Sequence, residues 1–361
     1  MRKLATIQTI AEIKPIKDAD FIVAYRVNGW WVVGRKDEYK VGDKIVYVEI
    51  DAVIPESVAP FLKQNGEGCH ILKTMKFKKQ ISQGLLLPLH RGGEVGEDVT
   101  DELGITLYEP PTPQDLQAAG VFPAWGRKTD QQRIQNNYEE LLPVLQTKKF
   151  VLEEKLDGTS CSVGYYKTLN EVVICSRNLS LKLDCDNIYT KAISKTNILE
   201  ALKRLKKSVM ISGEICGPGV QGNPYKLTEL TWFVFDVYMV DEQRYLTVNE
   251  RKEFLLKLDL PLKQVPQVAK DWSFSNTSCE DILKLADGNS WLNANQRREG
   301  VVAKCITDGD VSFKVISNLY LLKQDISKMN AVGNKTTAAK LEKFADALEE
   351  RAGYEKIRKI R

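Results

Sequence analysis

The 361-residue chain has only two histidines, His70 and His90, and no Cys-x-x-Cys pair. Its seven cysteines are odd in number, which argues against a disulfide framework or zinc module and for a reducing compartment. Cys69, His70 and His90 fit no zinc spacing and read as structural. Long apolar runs are also missing. Residues 1–20 alternate apolar and polar with charges throughout, unlike the continuous apolar core of a secretion signal. The most apolar stretch, WFVFDVYMV at 232–240, is interrupted by Asp236 and is too short to span a bilayer. Net charge is only +4, so nucleic-acid binding has to come from local patches. The chain shows no internal repeat and no low-complexity tract. These absences predict a soluble, cytoplasmic protein with no membrane partner.

What is present is ordinary for a globular chain, at 43% hydrophobic and 28% charged residues. The length suits two or more domains. Residues 1–105 hold short β-branched or aromatic runs (ATIQTIAEI, DADFIVAYRV, WWVVGR, KIVYVEIDAVI) with Asn28-Gly29 and Gly42-Asp43 between them. That spacing predicts a small OB-like barrel. Residues 106–128, with prolines at 110, 111, 113 and 123, predict an extended linker. A helix is expected over 129–145 with Thr129 as its cap. Up to residue 325, mixed strands and helices such as YTKAISKTNILEALKRLKK predict an α+β domain with largely antiparallel strands. Residues 326–361 place Leu341, Phe344, Ala345 and Leu348 on one helical face and predict a helical tail.

The segment EEKLDGTS, residues 153–160, sets Lys155 among Glu153, Glu154 and Asp157. Taken alone it reads as a surface turn with a solvated ion pair. A nucleophilic lysine must lose its proton, and carboxylates alone oppose that by stabilising the ammonium. The pattern makes chemical sense when the acids hold a divalent cation, which disfavours the ammonium and screens incoming phosphates. Further carboxylates must then converge from distant strands, and Glu214, Asp236 and Glu299 are the candidates. Lys304 and Lys314 are candidate cations for an α-phosphate.

This ordered set resembles the covalent nucleotidyltransferases, which include RNA ligases, DNA ligases and capping enzymes. It looks most like the ATP-dependent RNA ligases with an N-terminal OB domain. Lys155-Leu156-Asp157-Gly158 is similar to their KxDG nucleophile motif. Ser176-Arg177-Asn178, Ser212-Gly213-Glu214, Phe233-Val234-Phe235-Asp236, Glu299 through Lys304 and Ser312 through Ile316 match the later motifs in order. One motif alone is a weak signal; six in order is a strong one. The fifth motif departs from the pattern, with Ile316 where a second lysine is expected, and Lys323 is a candidate substitute.

The resemblance implies an RNA-repair enzyme sealing 3′-hydroxyl and 5′-phosphate ends through lysyl-AMP and an RNA-adenylate. Lys155 would be the nucleophile, with Lys304 and Lys314 on the phosphate. Glu154, Asp157, Gly158, Arg177, Glu214, Phe235 and Glu299 would form the nucleotide site, Glu154 reading the adenine amino group and Phe235 stacking on the ring. Asp157, Glu214 and Glu299 would hold Mg²⁺ or Mn²⁺, directly or through water. In the first domain, Lys73, Lys76, Lys78 and Lys79 interleave with Phe77 as a candidate phosphate-tracking surface, with RNA as the partner and a monomer as the expected state. A DNA ligase or capping enzyme is the alternative, but those carry an OB domain after the fifth motif, and only 47 residues follow Lys314. A non-catalytic OB protein is the third reading and leaves the ordered motifs unexplained.

Overall fold

The β-branched runs become strands, in a computed structural model that describes residues 2–62, 69–109 and 117–322. These fall into two units, one holding the described residues up to 109 with Gln135–Glu139 and 321–322, the other 117–134 with 140–320. The expected helical tail, Lys323 and the prolines at 110, 111 and 113 lie outside the described residues. No helix among the described residues is long and apolar enough to cross a membrane.

In the first unit, the strand Lys44–Val48 pairs antiparallel with Ala5–Thr9 on one side and Leu85–Leu87 on the other. Its alternation feeds two cores. Val46 and Val48 pack with Leu4, Ile7, Ile54 and Val99, while Ile45 and Tyr47 pack with Ile10, Tyr25 and Trp30. A central strand in a small barrel is buried on both faces in this way. The meander Glu12–Pro15, Ile22–Val27, Trp30–Arg35 turns at Asn28, whose φ is 50°. Asn tolerates that left-handed conformation better than other non-glycine residues. His90 hydrogen-bonds the Glu102 carboxylate at 2.7 Å.

The second unit stacks its chemistry on two sheets. A four-stranded sheet has the order Gln267–Ser273, Lys149–Lys155, Gly300–Cys305, Ser312–Ile316. An eight-stranded sheet is built around Thr159–Tyr166, Val209–Cys216 and Thr231–Met239, all antiparallel. Helices Ile188–Ser194, Ile198–Leu205 and Val248–Lys257 cover this sheet through Ile193, Ile198, Leu202 and Leu255. Two helix starts carry capping boxes, Asn187 with Thr190 and Thr247 with Glu250, satisfying backbone donors that a helix end leaves open.

Within the extended connector, Ala118–Val121 pairs with Leu179–Leu181 at the edge of the larger sheet. Two expectations are corrected. The helix expected from residue 129 begins at Ile134, with Arg133 as its N-cap. Residues 129–133 run extended because the chain lies alongside Ser312–Ile316, where the Lys314 N–H donates to the Gln132 carbonyl at 2.8 Å. The helical stretch 189–207 is broken in two by Asn197, at φ 55°.

Gly300 shows how tightly the smaller sheet is drawn. A Cβ there would sit 2.1 Å from the Val315 carbonyl oxygen and 3.0 Å from Ile316 Cα. Both obstacles are backbone, which cannot rotate away. Gly300→Ala is therefore expected to destabilise the protein by about 1–3 kcal/mol, as overpacking does. A lowered urea midpoint at unchanged slope checks this.

Candidate active site

Lys155-Leu156-Asp157-Gly158 is the crossing from the smaller sheet to the larger one, since Lys155 ends Lys149–Lys155 and Thr159 begins Thr159–Tyr166. The crossing must pass close to Val209–Cys216. A Cβ on Gly158 would lie 2.4 Å from the Ile215 carbonyl oxygen and 2.8 Å from Glu214 Cγ, so only glycine fits without displacement. Two tyrosines not singled out in the sequence analysis hold the turn. The Asp157 N–H donates to the Tyr225 hydroxyl at 2.6 Å, and the Tyr320 hydroxyl donates to the Asp157 carboxylate.

Lys155 Nζ lies 2.8 Å from Glu299 Oε1, with the two side chains 28% and 15% exposed. Burial works to lower the Lys155 pKa, but the carboxylates of Glu299, Glu214 and Asp157 outweigh it and hold the group above the ordinary lysine range. Glu214 has the opposite problem. Burial pushes its carboxyl up to about 8, against the pull of Lys155. Glu299, Glu214 and Asp157, all singled out in the sequence, thus act on one ammonium. Among the described residues no three His, Cys, Asp or Glu side chains gather closely enough to hold a metal ion. Three carboxylates suit a hard cation that keeps most of its own waters.

Glu153 and Glu154, neighbours in sequence, face different surroundings because strand side chains alternate. Glu153 is 1% exposed and pairs with Arg251 and, at 3.3 Å, with Lys304. Glu154 is 2% exposed; its Oε2 accepts the Trp291 N–H at 2.8 Å. Its Oε1 is buried with no hydrogen-bond partner among the described residues, and burial raises its pKa. Phe235 lies at a β-bulge: Ser212 pairs with Asp236 and Gly213 with Val234, leaving Phe235 unpaired between them. Bulges of this kind re-aim a side chain beside a site. The freed Phe235 carbonyl accepts from both Arg251 and Lys304, and its half-buried ring packs near Leu156, Cys216 and Phe233.

Lys304 sits in a buried cluster of charges. It is 5% exposed and committed to Asp236, Glu153 and the Phe235 carbonyl, an environment that demands a paired cation. Lys314 is different. Its Nζ is 3.3 Å from Asp130 Oδ1, and Arg177 Nη2 is 3.8 Å from the same oxygen. The chain therefore brings Lys314 and Arg177 together across a third residue that the sequence did not flag. Ile316, in the slot of the expected second lysine, is 6% exposed, an apolar position in the sheet core where an unpaired ammonium would be costly.

In the first unit, Met75–Phe77 and Gln80–Ser82 form a hairpin turning on Lys78 and Lys79, at φ 44° and 75°. Lys73, Lys78 and Lys79 are exposed, Lys76 is half-buried, and Phe77 is 38% exposed. Burial and the neighbouring Lys79 charge lower the Lys76 pKa to about 8. The hairpin presents cations around an aromatic, as its sequence suggested.

Comparison with known proteins agrees with this geometry. An RNA ligase family model matches residues 148–316, and an OB-fold domain model matches residues 4–89. The RNA ligase of Naegleria gruberi, solved with pyrophosphate, is 38% identical over 90% of this chain and 99% of its own, with a TM-score of 0.83. A variant of that enzyme solved with AMP and Mn covers 89% of this chain and 99% of its own, at 38% identity and a TM-score of 0.83. Another, solved with ATP and Mn, has a TM-score of 0.82 at the same identity and coverage. No curated protein matches.

The two lysines are separable by stability. Lys304→Ala leaves buried Asp236 and Glu153 short of a cation and is expected to cost about 3–5 kcal/mol. Lys314→Ala breaks a pair with an Asp130 side chain that is 44% exposed, worth about 0–1 kcal/mol. Denaturant unfolding of the two variants side by side reads the difference.

Proposed function

The chain belongs to the RNA ligase family, and from that premise we propose that it uses ATP and Mg²⁺ or Mn²⁺ to join RNA 3′-hydroxyl and 5′-phosphate ends in repair. It is a phosphodiester-forming enzyme with an N-terminal OB-fold domain. ATP and Mn accompany relatives 38% identical to it. The observation that carries the proposal is the lysine at the crossing between the two sheets, 2.8 Å from Glu299 and acted on by Glu214 and Asp157.

Lys155 Nζ attacks the α-phosphorus of ATP, the bond to the bridging oxygen breaks, and pyrophosphate leaves. AMP then passes from Lys155 to the RNA 5′-phosphate. The RNA 3′-hydroxyl attacks that activated phosphate and releases AMP. Each step is dominated by alignment and charge neutralisation. Asp157, Glu214 and Glu299 would hold the divalent ion through water. That ion supplies positive charge that disfavours the Lys155 ammonium and screens phosphate oxygens. Lys314 and Arg177 neutralise phosphate charge. Glu154 Oε1, buried with no hydrogen-bond partner among the described residues, would accept from the adenine amino group, and Phe235 would stack on the ring. Lys73, Lys76, Lys78 and Lys79 track the RNA backbone. Seven free cysteines fit a reducing compartment such as the cytoplasm.

Incubation with α-labelled ATP and Mn²⁺ is expected to label the protein through an acid-labile, alkali-stable phosphoramidate. Lys155→Ala abolishes the label, and Glu214→Ala and Glu299→Ala reduce its rate by about 10²-fold or more, as removing one preorganised electrostatic group does. Full labelling of Lys155→Ala would sink the assignment, and efficient labelling by GTP would favour the capping-type alternative.

The second test concerns the nucleic acid. On nicked duplexes, sealing is expected to require ribose on the 3′-hydroxyl side, and quadruple replacement of Lys73, Lys76, Lys78 and Lys79 by Ala should weaken RNA binding with a shallower salt dependence while leaving lysine labelling intact. Equal rates on all-DNA nicks would move the reading to a DNA ligase.

A further inference from the structure

A loop outside the nucleotide motifs grips one oxygen of Glu154. Residues 288–298 lie just before the strand Gly300–Cys305 and are closed on themselves. The Arg298 N–H donates to the Gly288 carbonyl at 3.0 Å, and the Ser290 N–H donates to the Gln296 carbonyl at 2.7 Å. The Arg298 guanidinium donates to the carbonyls of Leu285, Ala286 and Asp287. Asn293 ties the loop to its neighbour by donating to the Pro224 carbonyl at 2.9 Å, and Leu292 packs on the cluster of Leu156, Cys216 and Phe233. Glu154 meets the loop at Ser290 and Trp291. The Trp291 N–H donates to Glu154 Oε2 at 2.8 Å, and the Ser290 hydroxyl hydrogen-bonds the same carboxylate. Oε1 has no hydrogen-bond partner among the described residues, so both bonds fall on Oε2. Ser290 is itself fixed: it is 4% exposed, and its Oγ accepts the Leu292 N–H at 3.0 Å.

We propose that the Ser290–Trp291 turn determines base specificity: it pins Glu154 Oε2, so that Oε1 alone meets position 6 of the purine and selects an amino group over a keto oxygen. The proposal rests on the reading of Glu154 as the group that faces the adenine. A carboxylate only accepts hydrogen bonds. An amino group at position 6 satisfies Oε1. A keto oxygen sets acceptor against acceptor and leaves a buried oxygen unpaired, and sites built for a hydrogen bond reject analogues that cannot make it. A carboxylate free to turn would relieve that clash. Held by two donors on a loop that is itself closed, Glu154 does not turn, and the selection is preorganised. The same geometry has a consequence for Glu154→Gln. An amide has one oxygen that accepts and one nitrogen that donates. The two donors already at the Oε2 position draw the amide oxygen there, which turns the NH₂ group towards the base. Selectivity then reverses instead of vanishing. Ser290 and Trp291 act through Glu154 and touch no reacting atom, so they are positioning residues.

The test is single-turnover labelling of the full chain with Mn²⁺ and varied α-labelled ATP or ITP, the latter carrying a keto oxygen at position 6 and a proton at N1. The wild type is expected to need about 10- to 100-fold more ITP than ATP for half-saturation, the effect of one buried acceptor left unpaired. Glu154→Gln should reach half-saturation at less ITP than ATP. Ser290→Ala, which removes one of the two donors, should narrow the wild-type ratio by about 3- to 10-fold, with the change falling on half-saturation more than on maximal rate. A loop that served stability alone would leave that ratio where it was. Glu154→Gln that keeps the wild-type preference for ATP, or that folds and labels with neither nucleotide, overturns the proposal, as does an unchanged ratio in Ser290→Ala. Glu154→Gln decides the matter if Ser290→Ala does not fold. A wild type that labels equally well with both nucleotides overturns the proposal together with the reading of Glu154. A wild type that takes no label from either overturns the nucleotidyl-transfer reading and the proposal with it.

Discussion

The second unit depends on a buried cluster of four charges. Glu153 and Lys304 come from the four-stranded sheet, Asp236 from the eight-stranded sheet and Arg251 from the helix Val248–Lys257, and all are at most 5% exposed. Such charges are costly to bury and tolerable only when mutually paired and hydrogen-bonded. Here the pairing is complete in a particular sense. Each sheet supplies an anion, and the cations that answer them, on the smaller sheet and on the helix, also share the carbonyl of Phe235. The cluster thus fixes the spacing of the two sheets at the place where the chain crosses between them. The nucleophilic turn is the next thing along that crossing.

Around Lys155 the electrostatics are those of a resting state. Three carboxylates act on one ammonium, and one of them, Glu214, is held close to neutrality by burial. The arrangement is stable as it stands because the charges answer each other, and it is unreactive for the same reason. Adding positive charge near the acids changes the sign of the argument for the lysine without moving any strand. The phosphate end is arranged similarly. Lys314 and Arg177 share the Asp130 carboxylate, so the cations do not repel each other unscreened.

Much of this was legible in the sequence. Lys155 ends a strand, Glu214 lies within one and Glu299 immediately precedes one, and the apolar pattern of those strands is strong. The partners of Lys304 were not legible for a physical reason. Its position two residues past Val302 says that it shares a face with Lys314's partner row, but not that Asp236 waits there from another sheet. Long-range partners leave no local trace. Tyr225, Tyr320 and Asp130 escaped for the same reason, although a tyrosine four residues after Ile316 was a visible polar handle in an apolar stretch. Within the connector, Ala118–Val121 needed only four residues free of proline to join the sheet edge.

The bulge at Phe235 carries a consequence for chain length. Trp232 and Val234 point into the same core as Val237 and Met239, so the buried face is read on even numbers before the bulge and on odd numbers after it. The segment WFVFDVYM therefore shows no continuous alternation, although each half alternates perfectly well. A chain shortened by Phe235 alone would keep both halves facing their core as one regular strand, whereas loss of a residue from within either half would turn part of that half outward. The extra residue is thus a frameshift in three dimensions, and the site occupies the position where the two reading frames meet.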